Sequence, residues 1–349
     1  MGLNATTARR AFTVSVVTLA VSVTPLFAAI AQAVTLNGAG ATFPQPLYER
    51  YIREFKSKNP DTTVNYQGIG SGGGVKQFQA GSVDFGASDS AITDEEMDKV
   101  NQNRGTLMVP TAGGAVAVAY NAPGVATGLK LTQAAVGEIF GGKITKWNDP
   151  AIAKQNPGVN LPDQAIKLVV RADSSGTTFV FTNAVSAASP FFRGKIGVSK
   201  APKWAANPLT GKGNAGVAAS ILQTPGSMGY VELATAKQNN MSYAAVQNKK
   251  GEFVTPSLES TNQALSNIKF PANFRVFEGN PASGYPIVGM TWMLVYKKYE
   301  ADKLPAVKQW IKWVLSDGQK INPTLDYATV PEPVVQRVLQ QLEATVKAQ

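Results

Sequence analysis

VNYQGIGSGGGVKQF, residues 64–78, is a strand, a turn and a helix in one line. Residues 62–66 carry the β-branched and aromatic pattern of a strand. The run from Gly68 to Gly74 breaks it, and residues 75–80 predict a short helix. A strand feeding a helix through a glycine turn is the βα unit of an α/β protein. The turn also has chemistry. The first N–H groups of a helix lack internal partners and carry the positive end of its dipole, so they receive anions. Ser71 adds a hydroxyl.

The device recurs. GAGATFP (38–44) predicts a turn in which Thr42 caps a helix and Pro44 occupies its first turn. RADSSGT (171–177) lies between a strand over residues 165–170 and a helix over 177–188. Each turn alone is ordinary. Three in one chain, one carrying Arg171, point to an anion site. Other glycine patterns are weaker. Gly68-x-Gly70-x-x-Gly73, with Asp89 downstream, matches a dinucleotide fingerprint, but its helix is too short for a Rossmann crossover. Gly211-x-Gly213-x-x-Gly216 follows a Pro-containing loop rather than a strand. Gly137-x4-Gly142-Lys143 has Ile144 where a P-loop needs Ser or Thr.

Outward from these turns, strand-like and helix-like segments alternate. Leu47, Tyr48, Tyr51, Ile52 and Phe55 recur at helical spacing. Strands are expected at 83–87, at 113–120 (entered through Gly113-Gly114) and at 287–296. Val307, Trp310, Ile311, Val314 and Leu315 mark a helical stripe, and residues 331–346 a last helix. No repeat or low-complexity linker divides the chain, so two domains would share crossing strands rather than a tether. The five tryptophans read as core or interface. The lysine-rich stretches read as solvated faces.

The chain has 349 residues, no Cys and no His, with a net charge of +10. Disulfides, thiol nucleophiles, thiolate or imidazole metal sites and every His-based triad are excluded. An enzyme would depend on Asp, Glu, Lys, Tyr or Arg. Arg9 and Arg10, the mainly apolar residues 11–30 and Ala31-Gln32-Ala33 form a secretory signal pattern over residues 1–33. Cleavage after Ala33 is expected, without a lipid anchor, since that needs a Cys. An uncleaved membrane anchor is the alternative.

Long strings then resemble one family. GAGATFPQPLY (38–48), VNYQGIGSGGGVKQF (64–78), VDFGASD (83–89), GKITKWNDPAIAKQNPG (142–158), RADSSGTTFVFT (171–182), GKGNAGV (211–217), GYVELATAKQNN (229–240) and LDYATVP (325–331) are similar to the periplasmic phosphate-binding proteins of high-affinity phosphate ABC transporters. The resemblance implies an α/β, two-lobed type II periplasmic binding protein fold, its ligand cleft between lobes joined by crossing strands. Lobe I would comprise residues 34–115 with 286–349, and lobe II residues 116–285. The ligand implied is inorganic phosphate, with no cofactor and no metal. The partners implied are inner-membrane permease subunits, with no nucleic acid. The protein would be a periplasmic monomer and not an enzyme. Carried over residue by residue, the phosphate ligands are Thr42, Phe43, Ser71, Asp89, Arg171, Ser175, Gly176 and Thr177. A third glycine at Gly74 and Ser174 before Ser175 depart from the family without touching these positions.

The residue types suit that ligand. Hydroxyls, helix-start N–H groups and a guanidinium all donate. Asp173 either orients Arg171 or caps its own turn. Asp89 by itself reads as a strand-end cap. Under the resemblance it accepts from the P–OH that phosphate keeps near neutral pH, and sulfate, lacking that proton, meets bare repulsion. A receptor for sulfate or molybdate is the neighbouring alternative. A secreted phosphatase is the alternative from another class, and it would need an activated Ser or a carboxylate-only metal site, for which Asp84, Asp89, Asp94, Glu95 and Glu96 are the only dense acidic group. Asp94 to Glu96 fit a helix start better.

Overall fold

A computed structural model describes residues 1–2, 33–100, 104–205 and 207–349. The leader expected at 1–33 falls almost wholly outside them. The chain divides into two units, Met1–Gln32 and Ala33–Gln349, and all elements below belong to the second.

One nine-stranded sheet organises this unit. Its strands are β1 (Val34–Gly40), β2 (Thr62–Gly68), β3 (Phe85–Ser88), β4 (Thr106–Asn121), β5 (Lys167–Arg171), β6 (Leu209–Gly211), β7 (Ser227–Glu232), β8 (Ser242–Tyr243) and β9 (Val288–Tyr296). Their order is β2-β1-β3-β9-β4-β7-β5-β6, with β8 also on β4. Two parallel sets flank an antiparallel centre. β1 runs parallel to β2 and β3, and β5 runs parallel to β6 and β7. Between them, β9 and β4 pair antiparallel.

β4 is the hinge of the topology. It pairs with β9 from Thr106 to Ala115, then with β7 from Val116 to Asn121. Its burial is nearly continuous, and β9 is buried at every residue. Strands covered on both faces read as unbroken apolar runs, which is why β9 was legible. β4 is longer than the residues 113–120 expected from sequence. Gly113 and Gly114 lie inside it rather than at its entrance. A Cβ on Gly113 would strike Leu265, and one on Gly114 the ring of Phe43. A glycine in a strand interior marks this kind of close approach. The ladder shifts register at Thr291/Trp292, leaving Thr111 as an extra residue. Its carbonyl accepts from Gln319 Nε2 at 2.9 Å and Asn322 Nδ2 at 3.1 Å, so the bulge leaves it satisfied.

The helices pack their apolar stripes on this sheet. α1 (Gln45–Lys58) buries Leu47, Tyr48, Tyr51 and Phe55. α2 spans Ser71–Gln79 and α3 Asp94–Asp98. Thr93 and Glu96 form a capping box on α3, in keeping with Asp94 to Glu96 as a helix start. α4 (Gly176–Ala188), α5 (Gly213–Gln223) and α6 (Leu233–Gln238) follow. α7 (Leu304–Val314) buries the expected Val307, Trp310, Ile311 and Val314. α8 (Glu332–Thr345) closes the chain's helical order. Trp147, Trp292 and Trp310 are fully buried in the core.

Two turns differ from expectation. α2 begins at Ser71, so Gly72, Gly73 and Gly74 are helical rather than turn residues. Tertiary approach overrides their poor helix propensity, because a Cβ on Gly74 would strike the backbone of Gly40. Residues 209–211 form β6, so Gly211-x-Gly213-x-x-Gly216 does follow a strand and opens α5. A three-residue strand after Pro208 gives too short a pattern to read.

Candidate functional site

The carboxyl ends of β1, β2, β3, β5 and β6 carry the singled-out residues, where open α/β sheets place their ligands. Two helix starts meet there. On one side is α2, entered through Gly70 at φ +85°. On the other is α4, capped by Ser175, whose Oγ accepts from the N–H of Thr178 at 3.0 Å. Gly72 N–H donates to the carbonyl of Ser174 at 2.9 Å, joining the two turns.

Glycine makes that meeting possible. A Cβ on Gly70 would strike the Asp173 carboxylate, one on Gly72 the Ser174 side chain, and one on Gly176 both Ser71 Oγ and the Asp89 carboxylate. The seam is therefore lined by backbone, hydroxyls and carboxylates at close range.

Asp89 follows β3 and is 1% exposed. Its Oδ1 accepts from Thr291 Oγ1 at 2.8 Å, and its Oδ2 from Ser71 Oγ at 3.5 Å. Asp89 N–H donates to Ser71 Oγ at 3.2 Å. Burial pushes its carboxyl up to about 7, against the opposing pull of Thr291, the Arg171 charge and Ser71. A carboxyl poised there exchanges its proton near neutrality.

Arg171 ends β5 with its side chain 1% exposed. Its Nε and Nη2 form a fork on Asp173, at 2.9 and 2.5 Å. Nη1 donates to Thr177 Oγ1 at 3.3 Å. Asp173 Oδ1 also accepts from Gly213 N–H at 3.0 Å. Asp173 thus pairs with Arg171 and also accepts from the main chain of Gly213. Burial would raise the Asp173 carboxyl, but the Arg171 hydrogen bonds and charge and the Gly213 N–H outweigh it and hold it below its ordinary range.

Thr42 is not a helix cap. Pro44 stands at the N-cap of α1 and makes no side-chain cap bond. Thr42 Oγ1 instead accepts from both N–H and Nδ2 of Asn214, each at 3.2 Å. Phe43 turns its ring into the core, edge-on to Tyr327 at 6.0 Å between centroids. Its carbonyl accepts from Tyr327 Oη at 2.7 Å. Ser175 and Thr177 are fully buried. Thus Asn214 joins Thr42 to Thr177 and through it to Arg171, Ser71 and Asp89 meet each other and Gly176, and Ser175 stands beside them as the cap of α4.

Sequence reasoning missed Asn214 and Thr291. Asn214 had a signal, an amide inside a glycine pattern opening a helix, obscured because β6 was not recognised. Thr291 had none, since only the register of β9 brings it to Asp89. Among the described residues no group of three or more Asp or Glu side chains could hold a metal. No described helix is long and apolar enough to cross a membrane.

The fold and its cleft-edge turns define a class, the periplasmic-binding-protein-like domains. Residues 28–318 match the family model described as "PBP superfamily domain". A solved phosphate ABC transporter substrate-binding protein from Clostridium perfringens, described as putative and with bound phosphate, shares this fold. Its TM-score is 0.64 at 20% identity, over 85% of this chain and 100% of that one. A phosphate-binding protein PstS of Pasteurella multocida is 40% identical over 92% of this chain and 94% of its own length. One of Methanocaldococcus jannaschii is 33% identical over 86% and 84%. The chain belongs to the PstS family of phosphate-binding proteins.

Proposed function

We propose that this chain is a binding protein, not an enzyme, that captures inorganic phosphate and delivers it to an ABC permease. Its ligands would be Thr42, Phe43 N–H, Ser71, Asp89, Arg171, Ser175, Gly176 and Thr177, with Asp173 holding Arg171 in place. The observation that carries this reading is a convergence of donors around one buried carboxyl poised near 7. Donors take the bare oxygens of the anion. Ionised Asp89 takes the P–OH. Sulfate offers no such proton and leaves a desolvated carboxylate facing an anion, which is costly. This disfavours the sulfate or molybdate reading.

The lobes would be residues 34–115 with 286–349, and 116–285. The switch of β4 from β9 to β7 at Ala115/Val116, and the start of β9 at Val288, support those bounds. Closure of one lobe on the other is the signal a permease would read. Export as a periplasmic monomer, cleaved after Ala33 and without a lipid anchor, completes the proposal.

Calorimetric titration of the phosphate-stripped protein with phosphate, then sulfate, tests it. One tight phosphate site and no sulfate site are expected. Tight sulfate binding would make it a general oxyanion receptor. Binding of neither would leave the family match as a statement of fold alone.

A further inference from the structure

Asn214, at the start of α5, is 2% exposed. Its Oδ1 accepts from the N–H of Glu232 at 3.1 Å, which fixes the amide's orientation and aims Nδ2 the other way. Nδ2 donates to Thr42 Oγ1 and to Thr177 Oγ1, each at 3.2 Å. Thr42 Oγ1 also accepts the Asn214 N–H, and Thr177 Oγ1 also accepts Arg171 Nη1 at 3.3 Å. A hydroxyl has two acceptor lone pairs and one proton. On both threonines the lone pairs are taken by protein N–H groups, and the proton is all that remains. Elsewhere the choice stays open: between Thr178 Oγ1 and Tyr230 Oη, 2.7 Å apart, either can donate.

We propose that Asn214 is a positioning residue that sets the polarity of the site, holding the hydroxyls of Thr42 and Thr177 as obligate donors. The inference rests on the phosphate reading above. The two hydroxyls then offer a ligand only protons, which suits oxygens that only accept. A ligand presenting N–H or O–H groups at those points finds no acceptor. Asp89 remains the site's acceptor for a ligand proton. One amide thus gives the same donor role to a hydroxyl after β1 and a hydroxyl in α4.

The test is a double-mutant cycle read by calorimetry with inorganic phosphate, on the full chain. Asn214→Ala should weaken phosphate by about 30-fold in the wild-type background, the scale of a lost buried hydrogen bond. In the Thr42→Val/Thr177→Val background, which has no hydroxyl left to orient, the same change should cost less than about 3-fold. Equal losses in both backgrounds would overturn the proposal and reduce Asn214 to packing. Asn214→Asp is the second variant, since its carboxylate keeps the bond from Glu232 and the shape of the side chain. It turns both hydroxyls toward itself, so its deficit against wild type should be large at pH 8. The deficit should shrink toward pH 5 as the acid gains a proton and donates again, and a deficit independent of pH would overturn the proposal. Phosphate bound by wild type with an additive cycle removes this inference alone. No phosphate bound by wild type removes the reading of the site and this inference with it.

Discussion

Asp89 and Asp173 sit on opposite sides of one seam, and their carboxyls move in opposite directions. Burial dominates at Asp89, whose neighbours are two hydroxyls and a more distant cation, and the carboxyl rises to about 7. At Asp173 the guanidinium of Arg171 closes a fork at 2.9 and 2.5 Å, and the carboxyl falls below its ordinary range. What separates them is whether a charge-assisted partner repays desolvation. The β3 side keeps a carboxyl that can trade a proton. The β5 side uses its carboxylate to pair a cation.

Removing Arg171 should break the comparison most severely. Arg171→Ala leaves Asp173 desolvated without its partner, so that carboxyl should climb above its ordinary value, read by carbon NMR titration. Phosphate affinity should fall by about 1,000-fold, as for truncation of a buried charged pair. An Asp173 that stays low would show that the Gly213 N–H, not Arg171, controls it.

A smaller effect is expected at Asp89. Asp89→Asn should lower the preference for phosphate over sulfate by about 100-fold. In the wild type, sulfate binding should strengthen as pH falls through about 7, because Asp89 gains a proton and becomes a donor. Sulfate binding indifferent to pH, measured by calorimetry in buffers of different ionisation enthalpy, would count against the proton-reading role.

The smallest effects lie in stability, and their signs differ. Asp89 holds its proton up to about 7 in the fold but only to 3.8 ordinarily. Its contribution is therefore fully present below its ordinary value and is lost as pH rises through about 7. Asp89→Asn should melt a few degrees above wild type at pH 8 and no higher at pH 4. Asp173 is lowered, so its contribution is present above its ordinary value and lost as pH falls through the folded one. Asp173→Asn should melt below wild type at pH 8, with the gap closing in acid. The same direction for both variants would dissolve the contrast.

Most of the site was legible because it is built from turns, and turn chemistry is local. The RADSSGT string announced a strand and a helix, and β5 and α4 flank it, the helix starting at Gly176 with Ser175 as its cap. The limits were equally physical. Gly72 to Gly74 looked like turn because helix propensity is read one residue at a time, whereas the reason for glycine at 74 is the backbone of Gly40. Thr42 looked like a cap because its partner, Asn214, is 172 residues away. Thr291 reaches Asp89 only through the register of β9, and no local pattern encodes a register between distant strands. β6 was lost to its brevity.

Gly70, Gly72 and Gly176 bring the two helix starts together by what they lack. Along this seam a single added methyl would meet a carboxylate or a hydroxyl. Hydroxyls around the site can be exchanged for other hydroxyls during sequence drift, but a hydrogen atom has no substitute. In a scan of every single replacement, these side-chain-free positions should tolerate as little as Arg171 or Asp89. The vulnerability of the seam is thus set as much by the volume each helix leaves empty for the other as by the groups it presents.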